Sequence, residues 1–380
     1  MKADIKPLIK NIGIFSVNRI GELVQTYTDS HGGDFYNFGW GDIATDMVQH
    51  KIPKILFPPD VICKYPQPEG LPILIKHIAE FINRLSDIKI NPRNILITNG
   101  ATNAIVLLSY YFREFHGARD ILVQNPTYDT ALNIFRSQHY KIYGTNPNLT
   151  RLKDIKFNLA YCSFKFHNPT GLYLPPPQAD TIKKELLTHG YFIEDDAYGL
   201  FADEPTIDLV EHPRYVYVGS FSKYIFPGIR MGYVIANAKI IECLKIIQKY
   251  HNSHPNMLSQ IMLLHYLKQD LFLAEIKERK KLLNEKRGDF WAALPDSIKE
   301  TIENWHGGFY YWIKLRAGTK SIRVFADLLK NNVFVIPGDI YFVDVKNSYS
   351  AIRISVSPMP KSKISRGAHL LGKHLMKYVP

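Results

Sequence analysis

Between residues 94 and 236 the chain alternates short apolar runs with amphipathic stretches, and this alternation limits the possible folds more than any other feature. NILITNG (94–100) is an apolar run closed by glycine, and the residues after it, from Ala101 to about Phe115, carry apolar side chains at helical spacing. DILVQNP (120–126) is a second run, followed by a helical pattern over 130–138. The series continues through NLAYCSF (158–164), a helix around 179–190, YFIED (191–195), YVYVGSF (215–221) and MGYVIA (231–236). Strands that alternate with helices predict an α/β domain: a mostly parallel central sheet covered by helices on both faces, with ligands at the carboxyl ends of the strands.

Past residue 238 the pattern changes to long helices, at 239–251 and roughly 258–294. It then mixes strands (308–315, 333–336, 351–357) with a helix at 321–330 and a final amphipathic helix, which predicts a smaller α+β domain. With a boundary placed near 280, the expected organisation is a large domain over 45–280 and a small discontinuous one made of 1–44 and 281–380. Tyr143 and the segment 145–149 read as a loop, and the lysine-rich stretch from Lys277 to Lys281 as a solvated helix face. At 46% hydrophobic and 22% charged residues the chain can bury a large core, which excludes a disordered or fibrous protein.

Other classes are narrowed by charge and by cysteine and histidine spacing. The net charge of +12 suits nucleic acid, a membrane surface or an anionic ligand equally well. Cys63, Cys162 and Cys243 lie far apart, and the 14 histidines lack ligand spacing, so no metal site or disulfide framework is expected. Lysine and asparagine interrupt the apolar residues of the N-terminal stretch 1–15, and no segment reaches the roughly 18 apolar residues of a spanning helix. These features predict a cytoplasmic protein in a reducing compartment, with no membrane partner.

Four segments at strand ends carry the chemistry. In Asn99-Gly100-Ala101-Thr102-Asn103 a strand turns into a helix through small residues, which suits an anion at the helix N-terminus or an ordinary turn. His167-Asn168-Pro169-Thr170-Gly171 is a rigid turn presenting the Asn168 amide, or a surface turn with His167 exposed. Glu194-Asp195-Asp196-Ala197-Tyr198 brings carboxylates to the end of an apolar strand, where they need a cationic or hydrogen-bonding partner unless solvated. Ser220-Phe221-Ser222-Lys223, followed by Pro227-Gly228-Ile229-Arg230, puts an amine nucleophile beside hydroxyl and guanidinium donors suited to phosphate.

With NPTY (126–128 preceded by Asn125), PGIRMGY and IRIS, these motifs occur in an order that resembles the fold-type I pyridoxal 5'-phosphate (PLP) enzymes, specifically the class I/II aminotransferases of the aspartate and kynurenine type, from about Tyr65 to Arg353. The resemblance implies that Lys223 forms the Schiff base with PLP and moves the substrate Cα proton, and that Asp195 pairs with the pyridine nitrogen. It implies that Tyr198 and Asn168 donate to the phenolic oxygen and that Tyr128 stacks on the ring. Ala101, Thr102, Ser220, Ser222 and Arg230 would cup the phosphate. Tyr65 would reach the neighbouring subunit's phosphate in a homodimer with shared sites, and Arg353 would grip the substrate α-carboxylate. The expected partners are a free amino acid and a 2-oxo acid, with no nucleic acid.

The sequence departs from the family pattern in three places. Phe38-Gly39-Trp40-Gly41-Asp42 keeps the glycine of the closing segment but not its usual neighbours, Lys76 stands near the place of a common arginine, and Ala101 replaces a common serine. Gly39, Trp40 and Asp42 are therefore candidate substrate-side residues, although an Asp beside Gly is typical cap chemistry and capping of the helix that follows is the preferred reading of Asp42. The aromatics Phe309 to Trp312 are expected to be core. PLP lyases, replacement enzymes, cyclases and oxidases share the same motifs and are the alternative activities. A regulator's effector domain is a third reading, disfavoured because only some 30 residues precede the matched region.

Overall fold

A computed structural model describes residues 17–30, 34–48, 55, 57–85, 89–150, 152–203, 212–268, 271–303, 307–345 and 348–380; the stretch 1–15 considered above for membrane insertion lies outside them. After a short strand β1 (Tyr36–Asn37), each apolar run of the middle region becomes a strand of one sheet. These are β2 (Ile95–Thr98), β3 (Asp120–Gln124), β4 (Lys141–Thr145), β5 (Leu159–Cys162), β6 (Tyr191–Asp196), β7 (Tyr215–Ser220) and β8 (Gly232–Ala236). The spatial order is β2-β8-β7-β6-β5-β3-β4, with β8 antiparallel to both of its neighbours and every other pair parallel.

Period-two alternation divides each strand between two cores. Ile97, Leu122, Ala160, Phe192 and Tyr217 pack with the helices Pro72–Leu85 and Pro176–His189 on one face. Leu96, Val123, Tyr161, Ile193 and Val218 pack with Ala101–His116, Asp129–Ser137 and Ala238–Asn252 on the other. Because both faces are covered, the strands read as nearly continuous apolar runs.

The C-terminal region adds β9 (Tyr310–Lys314), β10 (Val333–Phe334), β11 (Ile336–Pro337) and β12 (Ala351–Ser355). Strands β11, β12 and β9 form an antiparallel sheet with β12 in the centre, while β10 pairs in parallel with β1. Residues 36–37 thus sit among C-terminal elements. The helix Leu271–Ala293 crosses residue 280 without a break. No helix among the described residues is long and apolar enough to cross a membrane.

Three expectations change. The long helix expected over 258–294 is two helices, Met257–Lys268 and Leu271–Ala293. Residues 141–145, with Tyr143, are the edge strand β4 rather than loop; its mostly part-exposed side chains hide the strand pattern. Within 277–281, Lys277 and Lys281 are exposed, but Arg279 is buried, pairs with Glu275 at 3.6 Å and donates to the Ile225 carbonyl.

Strand β6 carries carboxylates into the core. Glu194 and Asp196 point to the face opposite Asp195. Glu194 pairs with Lys183 at 3.0 Å and accepts from the Tyr215 hydroxyl at 2.6 Å. Asp196 pairs with Lys165 at 2.9 Å and accepts from Tyr217 at 2.9 Å. Removing one partner of a buried pair leaves an uncompensated charge, so Lys183→Met is expected to cost about 3–5 kcal/mol in urea unfolding, with most of the loss recovered when Glu194→Leu is added. An unchanged unfolding midpoint in the single variant would show that the pair does not stabilise the fold.

Candidate active site

The parallel strands end at a cavity of about 270 Å³, closed on its far side by residues of the N-terminal segment and the C-terminal sheet. On its floor lies Asp195, at the end of β6 and on the same sheet face as Tyr161 of the adjacent β5. The Tyr161 hydroxyl donates to one carboxylate oxygen of Asp195, and the Ala197 backbone N–H donates to the other at 3.3 Å. Burial raises the Asp195 pKa to about 6; the Tyr161 hydrogen bond opposes this and the neighbouring Asp196 adds to it. A cation beside Asp195 would restore its ionised form.

One end of the cavity is built for an anion. Gly100, at φ 84°, precedes the helix Ala101–His116, so the first N–H groups at Ala101 and Thr102 face the cavity with the helix dipole behind them. Ser220 and Ser222 follow from the end of β7, with the Ser222 N–H donating to Ser220 Oγ at 3.2 Å. The Ser222 hydroxyl is buried without a hydrogen-bond partner among the described residues. Arg230 reaches over the same turn, and a Cβ on Gly100 would lie 2.7 Å from its Nη2. Tyr128 lines the wall, its hydroxyl 3.5 Å from Thr102 Oγ1. This donor set suits a dianionic phosphate, and the floor carboxylate suits a pyridinium, so the residues fit PLP.

At the other end Lys223 Nζ donates to the Gly41 carbonyl at 2.6 Å and lies 5.9 Å from the centre of the Tyr198 ring. Desolvation lowers its pKa to about 8; Asp42 acts against the drop, and Arg353 and Arg230 add to it. Arg353, from the central strand β12, donates to Asn168 Oδ1 at 2.9 Å and to the Gly39 carbonyl at 2.6 Å. Its guanidinium lies 4.4 Å from the centre of the Tyr310 ring, and the Tyr310 hydroxyl is 2.7 Å from that of Tyr198.

The structure brings together every expected site residue except Tyr65. Trp40, Asp42, Ala101, Thr102, Tyr128, Asn168, Asp195, Tyr198, Ser220, Ser222, Lys223, Arg230 and Arg353 line the cavity, and Gly39 touches it through Arg353. Tyr65 is 91% exposed beside His254, outside the cavity. Three expectations are corrected. Asp42 does not cap the following short helix, Thr45–Met47, whose cap position is Ala44 with no side-chain cap; Asp42 lines the cavity instead. His167 is buried, not on the surface, with Nδ1 2.9 Å from Thr170 Oγ1, and burial lowers its pKa to about 3. Tyr310 lines the cavity rather than being only core. Sequence reading also missed Tyr161, whose signal was a lone phenol on the Asp195 face of an apolar strand.

The crowding at Gly100 yields a test. Gly100→Ala requires a strained φ and displaces Arg230, so PLP affinity measured by absorbance titration should fall about tenfold or more, with little change in fold. Wild-type affinity in this variant would show that Arg230 does not serve the anion.

The sequence profile of the family "Aminotransferase class I and II" matches residues 34–371. The 2-aminoadipate transaminase of Thermus thermophilus is 26% identical over 336 residues, spanning 83% of this chain and 82% of that protein. An uncharacterised HTH-type transcriptional regulator of Bacillus subtilis is 29% identical over 349 residues, spanning 85% of this chain and 70% of the regulator. Among solved structures, an archaeal alanine:glyoxylate aminotransferase superposes with a TM-score of 0.85 at 22% identity, covering 98% of this chain and 99% of that one. The α-aminoadipate aminotransferase of Thermus thermophilus does so with a TM-score of 0.80 at 23% identity, covering 90% and 92%. The chain therefore belongs to the class I and II aminotransferases, with the fold-type I architecture and the PLP dependence of that family.

Proposed function

We propose that Lys223 is the amine that holds the cofactor and moves the proton in this PLP-dependent aminotransferase, which transfers the amino group of a free amino acid to a 2-oxo acid. The observation that carries the assignment is the position of Lys223 Nζ in the cavity that Arg230 and Arg353 also line, with its pKa lowered to about 8. When bound, PLP supplies an aldehyde for amino groups and a ring that spreads negative charge from the substrate Cα.

The chain's residues supply the rest. The helix start at Ala101 and Thr102, the two serines and Arg230 fix the phosphate, and Tyr128 covers one ring face. Asp195, beside a pyridinium, keeps its negative charge and holds the ring proton. Asn168 and Tyr198 hold the phenolic oxygen. Arg353 binds the α-carboxylate through its two terminal nitrogens, exchanging the Gly39 carbonyl for a charged acceptor. That grip would orient the Cα–H bond toward Lys223, which, once neutral, could take the proton and hold it for return on the cofactor side, beyond the amino nitrogen. Trp40, held edge-on against Phe334 at 4.9 Å, and Asp42 form the substrate-side wall, which suits a polar side chain.

Assembly and location are inferred on separate grounds. The exposure of Tyr65 supports a homodimer in which it completes the neighbour's phosphate site. Three free cysteines, one of them exposed, support a reducing, cytoplasmic setting.

Three measurements test the assignment. Lys223→Ala should lose the absorbance of linked PLP and at least about 10³-fold of transamination; an unchanged spectrum would exclude Lys223 as the anchor. An amine attacks only when neutral, and a lowered pKa means Lys223 is protonated below about 8 and neutral above it. The rate of PLP uptake by the cofactor-free protein should therefore rise with pH and level off above about 8. A flat profile between pH 6 and about 9 would remove the proposed tuning. Pyridoxamine phosphate should accumulate when the loaded enzyme meets its amino acid alone; product without it would favour a lyase or cyclase.

A further inference from the structure

Tyr310 opens β9, is 2% exposed, and pairs in register with Ser355, so the sheet that carries Arg353 also fixes its backbone. Its ring lies under the Arg353 guanidinium at 4.4 Å. Its hydroxyl lies 2.7 Å from the Tyr198 hydroxyl and abuts the closing segment, where a Cβ on Gly41 would come within 2.3 Å of the Tyr310 oxygen. Tyr310 therefore joins the expected cofactor donor Tyr198 to the expected carboxylate clamp Arg353.

A phenol has one proton to donate and lone pairs to accept. In the Tyr198–Tyr310 pair one oxygen donates and the other accepts. If Tyr198 donated to Tyr310, it would have no proton left for a ligand oxygen. If Tyr310 donates, Tyr198 keeps its proton for the cavity and is polarised into a better donor, because hydrogen bonds in a chain strengthen one another at low local dielectric. Among the described residues, the Tyr310 hydroxyl has no other hydrogen-bonding partner to compete for its proton.

We propose that Tyr310 is a positioning residue: its hydroxyl donates to Tyr198 and commits the Tyr198 proton to the phenolic oxygen of bound PLP, while its ring holds Arg353 flat for the substrate carboxylate. The proposal rests on the PLP-binding reading above. A donor at the phenolic oxygen takes up negative charge that would otherwise retain the proton on the Lys223 nitrogen. A stronger Tyr198 donor therefore lowers the pH at which that proton leaves, and removing Tyr310's hydroxyl raises it.

The test is an absorbance titration of the loaded enzyme. Tyr310→Phe, which keeps the ring and its stack on Arg353, should raise the midpoint of the Lys223-linked chromophore by about half to one pH unit. Tyr198→Phe should raise it further. The double variant should match Tyr198→Phe alone, because Tyr310 acts only through Tyr198. In steady-state assays Tyr310→Phe should lower kcat with KM within about twofold, while Tyr310→Leu should raise KM as well by freeing the guanidinium. A wild-type midpoint in Tyr310→Phe, or shifts that add in the double variant, overturns the proposal and leaves the PLP reading standing. Failure of the wild-type protein to bind PLP overturns both.

Discussion

Strand β6 places three consecutive carboxylates, Glu194, Asp195 and Asp196, inside the protein, and the surrounding structure follows from how each is compensated. Alternation sends the outer two to one face, where Lys183 and Lys165 neutralise them and the Tyr215 and Tyr217 hydroxyls donate to the same oxygens. Asp195 goes to the other face, where Tyr161 offers a hydroxyl and, among the described residues, no cation pairs with it. A buried carboxylate without a cation is costly. The Tyr161 and Ala197 hydrogen bonds offset part of that cost, and a positive group in the cavity above would offset more, so the strand that anchors the sheet also favours a cationic ring at one point.

The cavity divides its positive groups in the same way. Arg230 stands over a helix start, Lys223 faces a backbone carbonyl, and Arg353 is held between an amide and a second carbonyl, with aromatic rings against its plane. Among the described residues each cation hydrogen-bonds only to neutral groups, which leaves the guanidinium charge of Arg230 and Arg353 for an incoming anion, while desolvation eases the loss of the Lys223 proton that a nucleophilic role requires. The net charge of +12 is distributed across the chain, but three cations serve the cavity directly. Three acids line the cavity and differ in kind: Asp195 lies on the floor, Asp129 is buried near Arg353, and Asp42 is exposed at the mouth and tempers Lys223.

Much of this could be read from residue order. The apolar runs marked the strands of the large sheet because both faces are covered, and the strand-end motifs marked the cavity because parallel strands deliver their carboxyl ends to one edge. What was illegible depends on contacts between distant segments. Tyr310 looked like core because it stands in an aromatic run, and only the pairing of β9 with β12 turns it toward Tyr198. Edge strand β4 carries too few buried side chains to show its period. His167 looked like part of an exposed turn, yet the turn folds inward. Asp42 looked like a cap because the chain's return to Ser355 and Ser357, through Phe38 and Asp42, cannot be read locally.

The closing segment has a further consequence. Gly39 and Gly41 offer their carbonyls to Arg353 and Lys223, so one short stretch of backbone engages both cations through which a substrate would enter. Any movement that frees Arg353 from the Gly39 carbonyl therefore pulls on the same few residues that hold Lys223, so the two cations are mechanically linked through backbone rather than through each other.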